Sequence, residues 1–284
     1  MHANSDKTVE VKSTLRRLRL FPRKALGQHF LVGDKALTDI LEASKIFGKT
    51  VVEIGPGLGV LTKKLAEHAR KVVAIEVDTQ LAAALQREFA EFENLQVLCA
   101  DARYVEVEGL VGKEHYKLVA NLPYYAAMPI LRRFLESSHP PTHAVVMCQR
   151  EVAMAMVAGP GKMSLLSVAI QLYGHPRIVG VVLPSAFYPP PKVTSTIVHI
   201  EVYQKPVLEV QDKGKFFALV RGGFAAPRKQ LRNSLSYGLN LSLDTAAEML
   251  WKADIDSKRR PQTLSLDEWG GLFGVFLESE LKHG

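Results

Sequence analysis

Cysteine is nearly missing from this chain: two residues, Cys99 and Cys148, in 284. Neither has the spacing of a metal site, and both fall in apolar, strand-like runs. They read as reduced core residues rather than as a disulfide framework, and no metal is expected. Long apolar runs are also missing. None reaches the length of a membrane span, and the first residues lack the hydrophobic core of a signal peptide. The expectation is a cytoplasmic protein without membrane contact. No internal repeat is present, which excludes a solenoid or propeller. What is there is ordinary globular material, 47% hydrophobic and 23% charged. That is enough for one large domain or two.

The charge is uneven. Residues 1–33 carry seven Lys/Arg against two Asp/Glu, residues 34–204 carry seventeen of each, and residues 205–284 carry twelve against ten. The excess within the net +7 therefore sits on the two ends around a neutral body. That placement suits a polyanion partner, although a basic tail alone is more often just solvated. Residues 1–20 show no stable pattern beyond one amphipathic turn at Thr14–Leu20 and read as a mobile basic arm. The segment FPRKALGQHF, Phe21 to Phe30, then combines Arg23, Lys24, Gly27, Gln28 and His29. Asp34 follows as a candidate N-cap, with Leu37, Ile40, Leu41 and Ile46 at helical spacing.

A strand at Thr50–Ile54 runs into Gly55-Pro56-Gly57-Leu58-Gly59, then a helix, then a second strand from Lys71 that ends at Glu76. Strand, glycine loop, helix, strand and acid make a nucleotide-binding half of a doubly wound sheet, in which the acid takes ribose hydroxyls. The third glycine of G-x-G-x-x-G is lacking, because its position holds Val60. A cofactor with a ribose but no pyrophosphate, such as S-adenosylmethionine, fits better than a dinucleotide. A third strand, Leu95–Ala100, ends in Asp101. A fourth, Tyr116–Ala120, ends in Asn121-Leu122-Pro123-Tyr124. Gly55, Glu76, Asp101 and Asn121 then close four strands on one edge, where ligands bind in such sheets. The Asn121 amide oxygen and the Leu122 carbonyl, aimed by Pro123, are two acceptors beside the flat face of Tyr124. They suit an exocyclic amine on a planar base. Read alone, the tetrapeptide is equally a strand-to-helix turn over a core tyrosine.

A strand at Ala144–Cys148 leads to a helix from Gln149 to about Met156. The runs Gly174–Leu183 and Ser195–Val202 read as an antiparallel hairpin at the sheet edge. Between them Pro189, Pro190 and Pro191 make a stiff loop that holds Phe187 over a site or buries it. From about Gln204 the sheet pattern stops. Helices are expected at Asp212–Phe224, Arg228–Tyr237, Thr245–Trp251 and Leu266–Leu281. Two basic clusters, Arg228-Lys229-Gln230-Leu231-Arg232 and Lys258-Arg259-Arg260, are solvated faces or phosphate contacts.

KALGQHFL, EIGPGLG, Glu76, CADA, NLPYY, FYPPPKVTS and FAAPRKQLRNSL occur in this order. Together they resemble the KsgA-type small-subunit (16S) ribosomal RNA adenine dimethyltransferases, from about Phe21 to Tyr237. The resemblance implies an α/β fold. A Rossmann-like S-adenosylmethionine-dependent methyltransferase domain would cover residues 21–204, after a basic arm at 1–20. A small all-helical C-terminal RNA-binding domain would cover 205–284. It implies transfer of methyl groups from S-adenosylmethionine to two adjacent adenosines in the 3′-terminal hairpin loop of the small-subunit RNA. The expected partner is that RNA within an immature small ribosomal subunit, met by a monomer.

Cofactor contacts are expected at Gln28, His29, Leu31, Gly55, Gly57, Glu76, Asp101, Ala102 and Asn121. The target base is expected at Asn121, Leu122, Pro123, Tyr124 and Phe187, and RNA phosphates at Arg23, Lys24, Lys192, Arg228, Lys229 and Arg232. Two departures stand out. The family usually has Asn where this chain has His29, which would add a pH dependence, and Ala126-Ala127 replace the residues that commonly follow NLPYY. The alternatives are the related large-subunit RNA methyltransferase, a non-catalytic assembly factor on the same fold, and a nicotinamide dehydrogenase. Val60 and the lack of a hydride-site pair speak against the last.

Overall fold

The computed structural model describes residues 3–123 and 126–281, without the side chains of residues 3–5, 24, 280 and 281. The chain divides into two compact units, residues 1–153 with 175–204, and residues 154–174 with 205–284. Each is taken by itself.

The first unit contains strands β1 (Phe30–Leu31), β2 (Thr50–Ile54), β3 (Lys71–Glu76), β4 (Leu95–Cys99), β5 (Tyr116–Asn121), β6 (His143–Gln149), β7 (Gly174–Val182), β8 (Phe187–Tyr188) and β9 (Ser195–Val202). Helices α1 (Ala3–Leu18), α2 (Asp34–Ser44), α3 (Val60–His68), α4 (Thr79–Glu88), α5 (Glu108–Val111) and α6 (Ala127–Leu135) accompany them, and α7 (Arg150–Met156) starts here. Seven strands form one sheet in the order β4-β3-β2-β5-β6-β9-β7. β4, β3, β2, β5 and β6 run parallel, and β9 joins β6 antiparallel. The expected hairpin therefore exists as neighbouring strands, with β7 at the edge.

Every residue of β2 is buried, which is why Thr50–Ile54 carries an unbroken apolar run apart from Glu53. β4 is the opposite edge, and none of its residues is fully buried. Cys99 on it is exposed, which corrects the expectation of a core thiol, whereas Cys148 on β6 is buried and its thiol is pushed up to about 12 by that burial.

Residues 3–18 form a helix, against the expected unstructured arm. Val11 and Leu15, one turn apart, are buried against Phe30, Val32 and Leu81. Lys7 pairs with Asp34, Arg17 with Glu88 at 2.9 Å, and the Lys12 ammonium lies 5.2 Å from the Tyr188 ring centre. Tertiary packing stabilises a segment whose own pattern is weak. Asp34 is the first residue of α2 and Gly33 its cap, so Asp34 serves Lys7 rather than the helix terminus. The cap of α4 is Asp78, whose carboxylate accepts from the Gln80 and Leu81 N–H groups.

The second unit is helical: α8 (Leu165–Gln171), which the sequence pattern does not announce, then α9 (Lys213–Gly223), α10 (Leu231–Leu239), α11 (Leu243–Lys252) and α12 (Leu266–Leu281). Its start at residue 154 moves the expected boundary at 205, because residues 154–174 fold with it. Phe216, Leu235, Leu250, Trp269 and Leu272 are fully buried. α9 and α10 cross closely: a Cβ on Gly238 would stand 2.5 Å from the Gly222 backbone, so only glycine fits. α10 begins at Leu231, later than expected. Pro227 and the bond from Ala226 N–H to Ser234 Oγ, 2.9 Å, shape residues 225–230 into a turn that carries Arg228 and Lys229. Arg259, grouped above with the phosphate candidates, is spent internally on Glu268.

Candidate active site

The carboxyl ends of β2, β3, β4 and β5 open onto one cavity, which lies within the first unit. Its walls include Gln28, His29, Leu31, Gly55, Gly57, Glu76, Asp101, Ala102, Asn121, Leu122, Pro123 and Phe187. Every described residue expected to hold the cofactor or the target base is therefore brought to one place. Tyr124 lies outside the described residues.

Local sequence explains the geometry. Gly55, Gly57 and Gly59 all have positive φ, 69°, 60° and 81°, a conformation open to glycine. A Cβ on Gly55 would sit 3.2 Å from the Asn121 carbonyl oxygen, so the loop lies directly against the end of β5. Glu76 is 5% exposed and accepts from two backbone N–H groups, Gly57 at 3.2 Å and Asp78 at 2.9 Å. Burial pushes its carboxyl above the usual range, and those two bonds pull it back. Each of its oxygens keeps acceptor capacity for a hydroxyl. Asp101 is held below the usual range by the Arg103 side chain.

Asn121 Nδ2 donates to the His29 carbonyl at 3.4 Å, a long contact that turns the amide so that its oxygen is the group left to accept. Leu122 donates its own N–H to Met147 at 3.1 Å, Pro123 accepts from Ala126 at 3.0 Å, and among the described residues nothing donates to the Leu122 carbonyl. Among the described residues, two acceptors thus remain where β5 meets the cavity. Phe187 is 4% exposed and pairs with Leu31 across the β1–β8 ladder, so it forms cavity wall rather than a projecting flap. His29 donates from Nδ1 to the Pro189 carbonyl at 2.6 Å, which ties the segment before β1 to the proline loop.

Other expected residues go elsewhere. Arg23 bonds Gln80 at 2.8 Å and approaches Asp78 at 3.4 Å. Gln28 donates to Asp78 at 3.0 Å, so both lock the start of α4 beside the cavity. Lys192, Arg228, Lys229 and Arg232 are exposed and have no carboxylate partner among the described residues. The Lys24 side chain lies outside the described atoms. Sequence reasoning missed Glu53 and Arg103, both on the cavity wall. Glu53 is 1% exposed, and its Oε2 has no hydrogen-bond partner among the described residues. A charged residue inside an otherwise apolar strand was the available signal.

The residues fit a nucleoside cofactor without phosphates. The glycine loop permits close backbone approach, Glu76 and Asp101 offer acceptors at neighbouring strand ends, and an unpartnered buried carboxyl oxygen, on Glu53, belongs to a cavity-lining residue.

A family model described as ribosomal RNA adenine dimethylase matches residues 21–270. The chain belongs to that family. A Dehalococcoides mccartyi protein named ribosomal RNA small subunit methyltransferase A is 41% identical over 95% of this chain and 94% of its own length. One of the same name from Alkaliphilus metalliredigens is 40% identical over 93% and 94%. Among solved structures, a dimethyladenosine transferase from Plasmodium falciparum superposes with a TM-score of 0.76 at 25% identity, covering 89% of this chain and 98% of that one. The 23S rRNA methyltransferase ErmE does so at 0.67 and 26%, covering 87% and 98%. The Rossmann-like methyltransferase fold with a helical C-terminal part is thus the dimethylase fold, and the chain is an S-adenosylmethionine-dependent enzyme acting on ribosomal RNA adenines.

Proposed function

We propose that this chain transfers methyl groups from S-adenosylmethionine to the 6-amino groups of two adjacent adenosines in the 3′-terminal hairpin loop of small-subunit (16S) ribosomal RNA. The substrate is proposed to be an immature small subunit, met by a cytoplasmic monomer. No described helix is long and apolar enough to cross a membrane. Relatives about two-fifths identical over nine-tenths of both chains carry small-subunit names, whereas the likeness to the 23S enzyme stands at 26%. That contrast favours the small subunit.

The observation that carries the reading is the pair of acceptors at the exit of β5 that no donor among the described residues engages. When bound, the cofactor supplies an electrophilic methyl group. An adenine amine is a poor nucleophile, because its lone pair is delocalised into the ring. The Asn121 amide oxygen and the Leu122 carbonyl accept its two hydrogens and localise that pair. Pro123 fixes the backbone that aims Leu122. Phe187 offers a ring face in the cavity wall, and Glu76 and Asp101 hold the cofactor's ribose and base. No side chain need act as a dedicated base: alignment and electrostatics lower the barrier, and the methylated amine, now cationic and acidic, releases its proton to solvent. The adenosine leaves its stack to reach the cavity, and aromatic contact offsets part of that cost.

Asn121→Ala removes an acceptor that matters most in the transition state, so turnover should fall far more than RNA affinity. Phe187→Ala should weaken base capture by an amount set by stacking, roughly 1–3 kcal/mol, and slow turnover less. Single-turnover methylation at saturating cofactor and RNA separates the two. A near-normal rate for Asn121→Ala would remove Asn121 from the chemistry.

A further inference from the structure

Asp101 does not face the cavity alone. Arg103, two residues on, turns back onto it: Nε lies 3.0 Å from Oδ1 and 3.1 Å from Oδ2, and Nη2 lies 2.6 Å from Oδ2. The Arg103 backbone N–H adds a fourth contact, 2.9 Å to Oδ1. The guanidinium also lies 5.3 Å from the centre of the Tyr104 ring, which is 74% exposed. Asp101 and Arg103 both line the cavity. The fork is planar and rigid, and its plane fixes the plane of the carboxylate it grips.

We propose that Arg103 is a positioning residue for the cofactor's base: it holds the Asp101 carboxylate ionised and in one orientation, so that Asp101 offers the cavity acceptors only. A carboxylate has about four acceptor sites, and Arg103 engages most of them. What remains can accept a single N–H. A ligand with a donor there, such as the 6-amino group of adenine, is taken. One with a carbonyl there meets an acceptor and is refused. The inference rests on the reading of Asp101 as a cofactor contact. It assigns the fixed geometry of that contact to a residue for which no role was expected.

The test is calorimetric binding of S-adenosylhomocysteine to the full chain and to Arg103→Ala, Arg103→Lys, Asp101→Asn and the double variant Arg103→Ala/Asp101→Asn, near pH 7 and near pH 4. Arg103→Ala should weaken binding by about three- to tenfold near pH 7, the worth of one ordinary hydrogen bond. Without the guanidinium, Asp101 takes up a proton at higher pH, so the weakening should grow as pH falls to near 4, the ordinary carboxyl range. Arg103→Lys keeps the charge without the fork and should fall between. In the Asp101→Asn background, Arg103→Ala should cost nothing further. Glu53, Glu76 and His29 also line the cavity, but they are common to every variant and cancel in that comparison. An equal loss from Arg103→Ala in both backgrounds, or no loss in the single variant, would overturn the proposal. Wild-type binding by Asp101→Asn would instead remove Asp101 from the site and take the inference with it.

Discussion

Glu53 is the residue whose chemistry is most at odds with its place. It sits in the first strand of the nucleotide half with 1% of its surface exposed, and burial, reinforced by the Glu76 carboxylate, pushes its carboxyl up to about 8. The folded chain therefore holds a proton that the unfolded chain releases at its ordinary value. Stability contributed by that proton is full below the ordinary carboxyl range and is lost as pH rises towards about 8. Glu53→Gln removes the penalty, so its melting temperature should exceed that of the parent by more near pH 8 than near pH 5, in protein free of cofactor. A pH-independent difference would mean that Glu53 is ionised throughout. Glu76 and Asp101 were legible in the sequence because each acid follows an apolar run. Arg23 and Arg103 were not. Their partners Asp78, Gln80 and Asp101 are chosen by folded loops, and spacing alone does not say whether a basic residue meets a phosphate or a neighbouring carboxylate.

Among elements, the parallel strands were legible almost to the residue, since β2, β5 and β6 are buried on both faces and read as continuous apolar runs. α1 was not, because among its described side chains only Val11 and Leu15 reach the core. Two apolar residues one turn apart do not distinguish a docked helix from a passing coincidence. Leu15→Ala should cost about 2–3 kcal/mol in chemical denaturation, the lower part of the range for a buried leucine. Val9→Ala, at a position 63% exposed, should cost almost nothing. Equal, small effects would show that α1 is not held by its buried face. Cys99 failed for the converse reason: the edge strand β4 has the composition of a core strand, yet two of its five residues are exposed and none is buried.

Over the whole molecule, charge and fold meet in the RNA. The exposed cations Arg228, Lys229 and Arg232 sit in a turn and the first turn of α10, free of carboxylates among the described residues. If they neutralise phosphates, replacing all three with uncharged residues should weaken RNA binding and flatten its salt dependence by about 0.7 for each phosphate left unneutralised; an unaltered slope would make them solvated groups. The helical composition of the second unit was legible, but its recruitment of residues 154–174 was not, since a chain that leaves a sheet and returns to it leaves no mark in local pattern. The most direct measurement for the account is incubation of the full chain with labelled S-adenosylmethionine and unmethylated small-subunit or large-subunit RNA, naked or in immature subunits, followed by nucleoside analysis. The account predicts N6,N6-dimethyladenosine at two adjacent positions of the small-subunit 3′-terminal hairpin and no label in large-subunit RNA. Label confined to large-subunit RNA, or none from a folded, cofactor-binding chain on any of these substrates, would contradict it.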